Sequence, residues 1–174
     1  MLTVENNCPI YLRPIEYSDT CNILKWRNSE YVRKKFIYQD KFTEETHIQW
    51  MKSMINTRKA YQFIIYISNT NKPIGSIYLR DINLNEGSAE YGIFIGEEGE
   101  LGKGYGTIAG KLLLQFAFQN INLRKVYLRV FADNFNAIQS YLKLGFTRDI
   151  NKKDEDIVIN GISRKILFMC IHNT

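Results

Sequence analysis

The stretch Leu101-Gly102-Lys103-Gly104-Tyr105-Gly106-Thr107 separates two different hydrophobic patterns in the sequence. Residues 89–95 before it have the pattern of a β-strand, and apolar residues recur at helical spacing after it. A turn that ends a strand and begins a helix leaves several backbone N–H groups without an intrahelical partner. Because its glycines lack a Cβ, a ligand can approach these groups closely. The stretch therefore predicts an anion site suited to a diphosphate, with the charge of Lys103 at its rim.

Two other phosphate-binding motifs fit this stretch poorly. A Walker A loop needs a Lys followed by Ser or Thr after the last glycine, whereas Thr107 follows Gly106 directly. A dinucleotide fingerprint belongs in a parallel βαβ unit, usually near the N-terminus, whereas these glycines follow an antiparallel meander in mid-chain. On the glycine pattern alone, a flexible turn without a ligand remains the alternative.

The elements on either side of the turn predict a mixed α/β fold. On its N-terminal side the sequence predicts strands over 10–15, 61–67, 74–82 and 89–95, and helices over 16–28 and from Thr43 onward. On its C-terminal side it predicts a helix from Gly104, a strand over 125–131, a helix over 134–144, a hairpin turn at Asn160-Gly161 and a last strand over 162–171. Adjacent strands joined by short turns form an antiparallel meander, whereas the strands flanking the crossover helix form a parallel pair.

The composition is that of an ordinary globular protein. The 174 residues and the 45% hydrophobic content fit one domain with a core. No apolar run reaches the ~18–20 residues that span a bilayer, and residues 1–9 lack the apolar run of a signal peptide, so we expect no membrane partner and a cytoplasmic location. The net charge of +5 fits either an anionic partner or an ordinary surface with a mild Lys excess.

Neither a metal site nor a nucleic-acid site is indicated by the sequence. The three cysteines are widely spaced without a CxxC motif, and the two histidines alone do not make a metal site. The longest basic runs, such as residues 33–35, are too short for a nucleic-acid tail, and no aromatic RNA-binding signature occurs. We therefore expect no metal and no nucleic-acid partner.

Two motifs, in this order, resemble those of the GCN5-related N-acetyltransferases (GNAT). Residues 102–106 are similar to the family's phosphate loop, with Leu101 in place of the usual Gln or Arg. Asn134-Phe135-Asn136-Ala137, followed by Tyr141 and by Gly145-Phe146, is similar to a second family segment. The resemblance covers the chain from residue 10 to the C-terminus. It implies a GNAT-type α/β fold, with a mostly antiparallel central sheet, a splayed parallel pair and flanking helices.

The resemblance implies that acetyl-CoA is the cosubstrate and that no metal takes part. Its diphosphate would lie on the amides of residues 101–107, and its pantetheine arm would pair with the exposed edge of the strand that ends at Phe94-Ile95. Asn134 resembles the family residue that hydrogen-bonds the arm or its neighbourhood, although Asn is also favoured as a helix N-cap. The predicted cofactor-binding residues are Phe94, Ile95, Leu101, Gly102, Lys103, Gly104, Tyr105, Gly106, Thr107 and Asn134.

The resemblance also implies direct transfer of acetyl to a primary amine. Tyr141 is the predicted catalytic acid, because the expelled thiolate needs a proton and a phenol can supply it. Glu90 is predicted as the base that takes the proton of the amine, with a water relay or a purely structural Glu as the alternatives. No Ser/His/Asp or Cys/His arrangement is evident, which fits transfer without an acyl-enzyme.

The N-terminal third carries the residues expected to select the amine. Trp26, Arg27, Asn28, Arg33 and His47 resemble the RimJ/RimL-like branch that acetylates the 4-amino group of UDP-linked amino sugars, which implies a nucleotide sugar as the small-molecule partner. Arginines suit its diphosphate through bidentate contacts. Acetyltransferases of polyamines or of ribosomal protein N-termini share Trp-Arg-Asn and remain alternatives, as does a non-catalytic CoA-binding module. The tryptophans also fit a purely structural place in the core.

We expect one acetyltransferase domain over residues 1–174. Within it, 10–60 would form the substrate-side helices, 61–146 the acetyl-CoA-binding core and 147–174 the C-terminal strands. The strand over 162–171 is predicted at an edge of the sheet, where pairing with a second copy would give a homodimer.

Overall fold

The computed structural model describes Leu2 and residues 7–173, and in this part of the chain eight strands form one sheet. The strands are β1 (Ile10–Pro14), β2 (Tyr61–Ile67), β3 (Lys72–Asn83), β4 (Ser88–Ile95), β5 (Lys125–Phe131), β6 (Thr147–Arg148), β7 (Glu155–Ile159) and β8 (Ile162–His172). Their order is β1-β2-β3-β4-β5-β8-β6, and β7 also pairs with β8. All pairs are antiparallel except β4 with β5, so the predicted fold class is confirmed.

Four of the five α-helices lie within the stretches that the sequence predicts as helical. They are α1 (Thr20–Asn28), α2 (Glu30–Arg33), α3 (Glu44–Trp50), α4 (Tyr105–Gln115) and α5 (Phe135–Lys143). A 3-10 turn precedes α1, and π-helical turns extend α3 and α4. The Thr43 hydroxyl caps α3 by accepting a hydrogen bond from the N–H of Thr46, whose hydroxyl accepts one from the N–H of Thr43. The sequence analysis missed α2, which is one turn long and carries no hydrophobic period.

The parallel pair splays soon after it begins. β4 and β5 pair only from Ser88 with Lys125 to Glu90 with Tyr127. Beyond this point β5 continues to pair with β8, and β4 continues to pair with β3 as far as Ile95. The edge of β4 that faces β5 is therefore unpaired over residues 91–95.

The sheet separates two hydrophobic clusters, because successive residues of a strand point to opposite faces. Tyr91 packs in the larger cluster with residues of α4 and α5, whereas Phe94 packs in the smaller one with residues of α1 and α2. We call these two sides the α4–α5 face and the α1–α3 face. The gap between β4 and β5 is the place where the two faces communicate.

The last strand is not the free edge that the sequence analysis expected. β8 lies between β5 and β6, and its first half pairs with β7. The prediction was wrong because a β-hairpin turn at Asn160-Gly161 shows where a strand begins, whereas its place in the sheet depends on long-range pairing with β5.

The described residues bear on the predicted absence of a membrane-spanning segment. Within residues 7–173, no helix is long and apolar enough to cross a bilayer. The signal-peptide argument concerns residues 1–9, of which 1 and 3–6 lie outside the described residues.

Candidate active site

The glycine turn has the backbone geometry of an anion cradle. Gly102 and Gly104 have φ angles of 73° and 82°, in the left-handed region that favours glycine. Gly104 is the N-cap of α4, and the first N–H groups of the helix to find an acceptor are those of Thr107 and Ile108. In the described part of the chain, the N–H groups of residues 102–106 donate to no protein acceptor. These five amides at a helix N-terminus suit a diphosphate.

The charge of Lys103 is shared with a neighbouring carboxylate. Its Nζ lies 2.7 Å from Glu100 Oε2, and Lys72 Nζ lies 2.9 Å from the other oxygen of Glu100. The hydrogen bonds from Lys103 and Lys72 lower the pKa of Glu100. Lys103 does not line the cavity described next. The backbone, more than this side chain, defines the anion site.

A cavity of about 1040 Å³ connects the glycine turn with the α1–α3 face. It runs along the unpaired part of β4 and ends among side chains of α1 and α3. Nine of the ten predicted cofactor-binding residues line it, namely Phe94, Ile95, Leu101, Gly102, Gly104, Tyr105, Gly106, Thr107 and Asn134. The tenth is Lys103.

Asn134 combines a capping position with a place at the cavity. It is the N-cap of α5, and its Oδ1 accepts a hydrogen bond of 3.4 Å from the N–H of Ala137. The hydroxyls of Thr107 and Ser140 lie 3.3 Å apart and link α4 to α5. The two helices that border the cavity beside the glycine turn are thereby held together.

Tyr141 reaches the cavity from the α4–α5 face. Its ring packs edge-on against Tyr91, with centroids 5.8 Å apart, and against Phe146 at 6.0 Å. Burial raises the pKa of the Tyr141 phenol well above its usual range. The hydroxyl therefore keeps its proton at neutral pH, as a general acid must.

Glu90 lies on the α1–α3 face between two arginines that the sequence analysis did not select. Its Oε2 accepts from Arg80 Nη2 at 2.9 Å, and its Oε1 accepts from Arg129 Nε at 3.0 Å. Both carboxylate oxygens of Glu90 are therefore engaged by guanidinium groups. Arg80 stands directly opposite Glu90 in the antiparallel pairing of β3 with β4. The predicted pairing of these two strands could therefore have identified Arg80 as a neighbour of Glu90.

Of the five predicted substrate residues, Arg27 and His47 line the cavity and the other three do not. Trp26 is 1% exposed, packs edge-on against Phe94 and donates from Nε1 to Glu97 at 2.8 Å. Asn28 exchanges two hydrogen bonds with the backbone of Phe42. The side chains of Trp26 and Asn28 thus make contacts within the protein, and Arg33 also lies outside the cavity, because only one stripe of a helix can face a given cavity.

Arg27 is a buried cation without a carboxylate partner in the described chain. It is 6% exposed, and its guanidinium stacks on Phe36, 3.6 Å from the ring centroid, and on Phe42 at 4.6 Å. Nη2 lies 3.5 Å from the carbonyl oxygen of Tyr38, and Nη1 has no hydrogen-bond partner among the described residues. Burial lowers the pKa of Arg27 to about 10, so the group stays charged at neutral pH.

His47 is the second buried polar group at this end of the cavity. Its Nδ1 lies 3.1 Å from the Thr20 hydroxyl, whereas Nε2 has no partner among the described residues. Burial lowers the pKa of the imidazole. Two residues that line this end of the cavity, Arg27 and His47, thus each carry a buried nitrogen without a hydrogen-bond partner among the described residues.

A metal ion has no ready-made site among residues 7–173. They contain no group of three or more His, Cys, Asp or Glu side chains placed to hold one. The three cysteines are free.

The comparison with known families identifies the class of this protein. A family model described as an acetyltransferase (GNAT) domain matches residues 10–147. The chain therefore belongs to the GNAT acetyltransferases, and it is an N-acetyltransferase that uses acetyl-CoA. The resemblance that the glycine turn and the Asn134 segment indicated is confirmed at this level.

Individual relatives are named for spermidine. The spermidine N(1)-acetyltransferase of Escherichia coli K12 is 30% identical over 164 residues, which cover 93% of this chain and 85% of the relative. The crystal structure of the Vibrio cholerae spermidine N-acetyltransferase in complex with CoA and spermine superposes with a TM-score of 0.87 at 25% identity, covering 95% and 96% of the two chains. These relatives do not single out the RimJ/RimL-like or amino-sugar branch.

Proposed function

We propose that one cavity serves both substrates of an acetyl transfer to a small primary amine. The observation that carries the proposal is the continuity of the cavity, which joins four of the five residues with bare amides, the unpaired edge of β4 and Tyr141. The CoA diphosphate binds the N–H groups of residues 102–106. The amide-rich pantetheine arm pairs with β4 over residues 91–95 like an added strand.

The splay of the sheet then determines where the reaction takes place. CoA lies against the α4–α5 face, and its thioester enters the gap between β4 and β5. The amine approaches from the α1–α3 face and attacks the carbonyl carbon. As the C–S bond breaks, Tyr141 donates its proton to the departing thiolate.

Glu90 acts on the amine proton through water in this proposal. Both of its oxygens already accept hydrogen bonds from arginines, so direct abstraction is disfavoured. A water that donates to Glu90 can pass the proton outward without breaking the ion pairs. The alternative is that Glu90 only holds Arg80 and Arg129 in place.

A polyamine of the spermidine class is the first acceptor candidate. The support comes from the relatives named above, which cover most of this chain and act on spermidine by name. They favour this alternative of the sequence analysis over its amino-sugar reading.

A primary amine on an anionic scaffold, such as a UDP-linked 4-amino sugar, is the second candidate. Arg27 favours this second candidate, because a buried guanidinium whose Nη1 has no partner among the described residues suits a phosphate. A polyamine would instead bring further positive charge. Lys35 and Lys41 also line the cavity that Arg27 lines.

The two candidates are separated by CoA release from purified protein given acetyl-CoA and one amine at a time. Spermidine, a UDP-linked 4-amino sugar, an aminoglycoside and a peptide with a free N-terminus form the panel. If a polyamine is the acceptor, we expect the highest kcat/KM for spermidine, and Arg27→Met should leave that kcat/KM unchanged or raise it. If a sugar nucleotide is the acceptor, we expect the highest kcat/KM for the UDP-linked 4-amino sugar. Arg27→Met should then lower this kcat/KM at least about tenfold, the size of one charge-assisted contact.

Two further outcomes bear on the reaction itself. Release of CoA by the peptide alone would remove both small-molecule candidates. CoA binding without release in the presence of any amine would overturn the catalytic proposal and favour a CoA-binding module.

A further inference from the structure

Tyr78 leans across β4 at the point where that strand has lost its partner. It stands opposite Gly92 in the β3–β4 pairing. A Cβ added to Gly92 would lie 2.2 Å from Tyr78 Cζ and 2.3 Å from its hydroxyl oxygen. The tip of the phenol therefore occupies the space that a side chain at position 92 would fill, beside the unpaired backbone of residues 91–95.

Two phenols consequently reach the cavity from opposite faces of the sheet. Tyr78 shares the α1–α3 face with Arg80 and Glu90, and the Arg80 guanidinium lies 5.9 Å from its ring centroid. Tyr141 belongs to the cluster of the α4–α5 face. Both residues line the cavity, on either side of the gap that the thioester enters.

Three arginines, Arg80, Arg27 and Arg129, bring positive charge near the Tyr78 phenol. Burial and the charge of Glu90 raise the pKa of Tyr78, while the charges of Arg80, Arg27 and Arg129 act in the opposite direction. The hydroxyl thus stays protonated at neutral pH and is polarised by nearby cations.

We infer that Tyr78 is a catalytic residue that donates a hydrogen bond to the acetyl oxygen in the tetrahedral intermediate. This inference rests on the proposed acetyl transfer. The amine lone pair forms the C–N bond, and the π pair of the carbonyl moves onto the oxygen that Tyr78 faces. Collapse of the intermediate re-forms the carbonyl and breaks the C–S bond, and the thiolate takes the proton of Tyr141. The nitrogen releases its proton outward through the water at Glu90, and solvent returns one proton to the Tyr141 phenolate. The products are the amide and CoA.

The first test compares Tyr78→Phe with Tyr127→Phe. Tyr127 stands opposite Glu90 on β5 and does not line the cavity, so it is a matched control. We expect kcat of Tyr78→Phe to fall about 100-fold, the effect of losing one oxyanion donor, with KM for acetyl-CoA changed less than about threefold. Tyr127→Phe should keep kcat. A Tyr78→Phe enzyme within twofold of the parent kcat would overturn the inference.

The second test needs no acceptor amine. Trifluoroacetonyl-CoA carries an activated ketone that forms a tetrahedral hydrate beside the CoA sulfur, and calorimetry compares its Kd with that of CoA. Tyr78→Phe should weaken the analogue at least tenfold and leave CoA unchanged. An equal loss for both ligands would show a packing role and refute the inference. A parent protein that releases no CoA with any amine would refute the proposed function, and the analogue would still decide the role of Tyr78.

Discussion

At the scale of single residues, burial affects both the proton affinity of a tyrosine hydroxyl and whether that hydroxyl finds a hydrogen-bond partner. Tyr141 and Tyr91 pack against each other in the same cluster. Both residues line the cavity, but only the Tyr91 hydroxyl is buried without a hydrogen-bond partner among the described residues. Neighbouring tyrosines of similar burial are therefore expected to respond to the same substitution in opposite ways.

Tyr141→Phe should lower kcat at least about 100-fold, because the thiolate loses its proton donor. CoA affinity, measured by calorimetry, should change less than twofold. Tyr91→Phe serves as the control. It removes an unsatisfied buried hydroxyl, so it should retain kcat and raise the free energy of unfolding by about 1 kcal/mol. Unchanged turnover in Tyr141→Phe would contradict the role of this phenol as the acid.

The sequence motif selected Tyr141 and Glu90, yet it missed the groups that define their surroundings. Arg80 and Arg129 come from β3 and β5 and converge on Glu90. Arg80 and Glu90 are ten residues apart and Arg129 is 39 residues from Glu90. No local pattern reports such a convergence, because it depends on which strands become neighbours.

At the scale of elements, the turn between β4 and α4 depends on glycine at particular positions. Gly104 has a φ of 82°, and a Cβ there would meet no atom within 4 Å. The requirement is thus the backbone conformation and not a lack of room. This separates the conformational role of Gly104 from any steric conflict with the protein.

Gly104→Ala should strain the turn by about 1–2 kcal/mol, the cost of the left-handed region for a residue with a Cβ. The amides of residues 102–106 would leave their positions, and we expect the Kd for CoA to rise about tenfold. Gly99→Ala is the control, because Gly99 has open space and no positive φ. Equal CoA affinity in both variants by calorimetry would show that the turn does not hold the diphosphate.

At the scale of the whole molecule, stability should fall in mild acid because His47 is buried neutral between α1 and α3. Its folded pKa is lowered by burial, so below about 6.5 the unfolded chain binds a proton that the folded protein excludes. The free energy of unfolding should therefore keep its full value above this pH. Below it, the free energy of unfolding should decline by at most about 1.4 kcal/mol per pH unit.

Urea unfolding at pH 7.5 and 5.5 measures this decline in the parent, in His47→Asn and in His172→Asn. His172 is exposed and serves as the control. The difference between the two pH values should shrink only in His47→Asn. A decline that persists undiminished in that variant would assign the acid sensitivity to other groups.

The sequence by itself determined most elements, the glycine turn and the family. These features depend on short-range physics: alternation along strands, helical spacing, capping side chains and the freedom of glycine at positive φ. The strands over 61–67 and 125–131 begin and end where the sequence predicted them.

Only the tertiary structure decided which side chains face the cavity. Trp26 and Arg27 are adjacent in the sequence, yet Trp26 packs in the core, whereas Arg27 lines the cavity and has an Nη1 without a partner among the described residues. Tyr78 reaches the gap because Gly92, 14 positions later, leaves room for its ring. Strand register and helix orientation set these contacts, and both follow from how the whole chain packs.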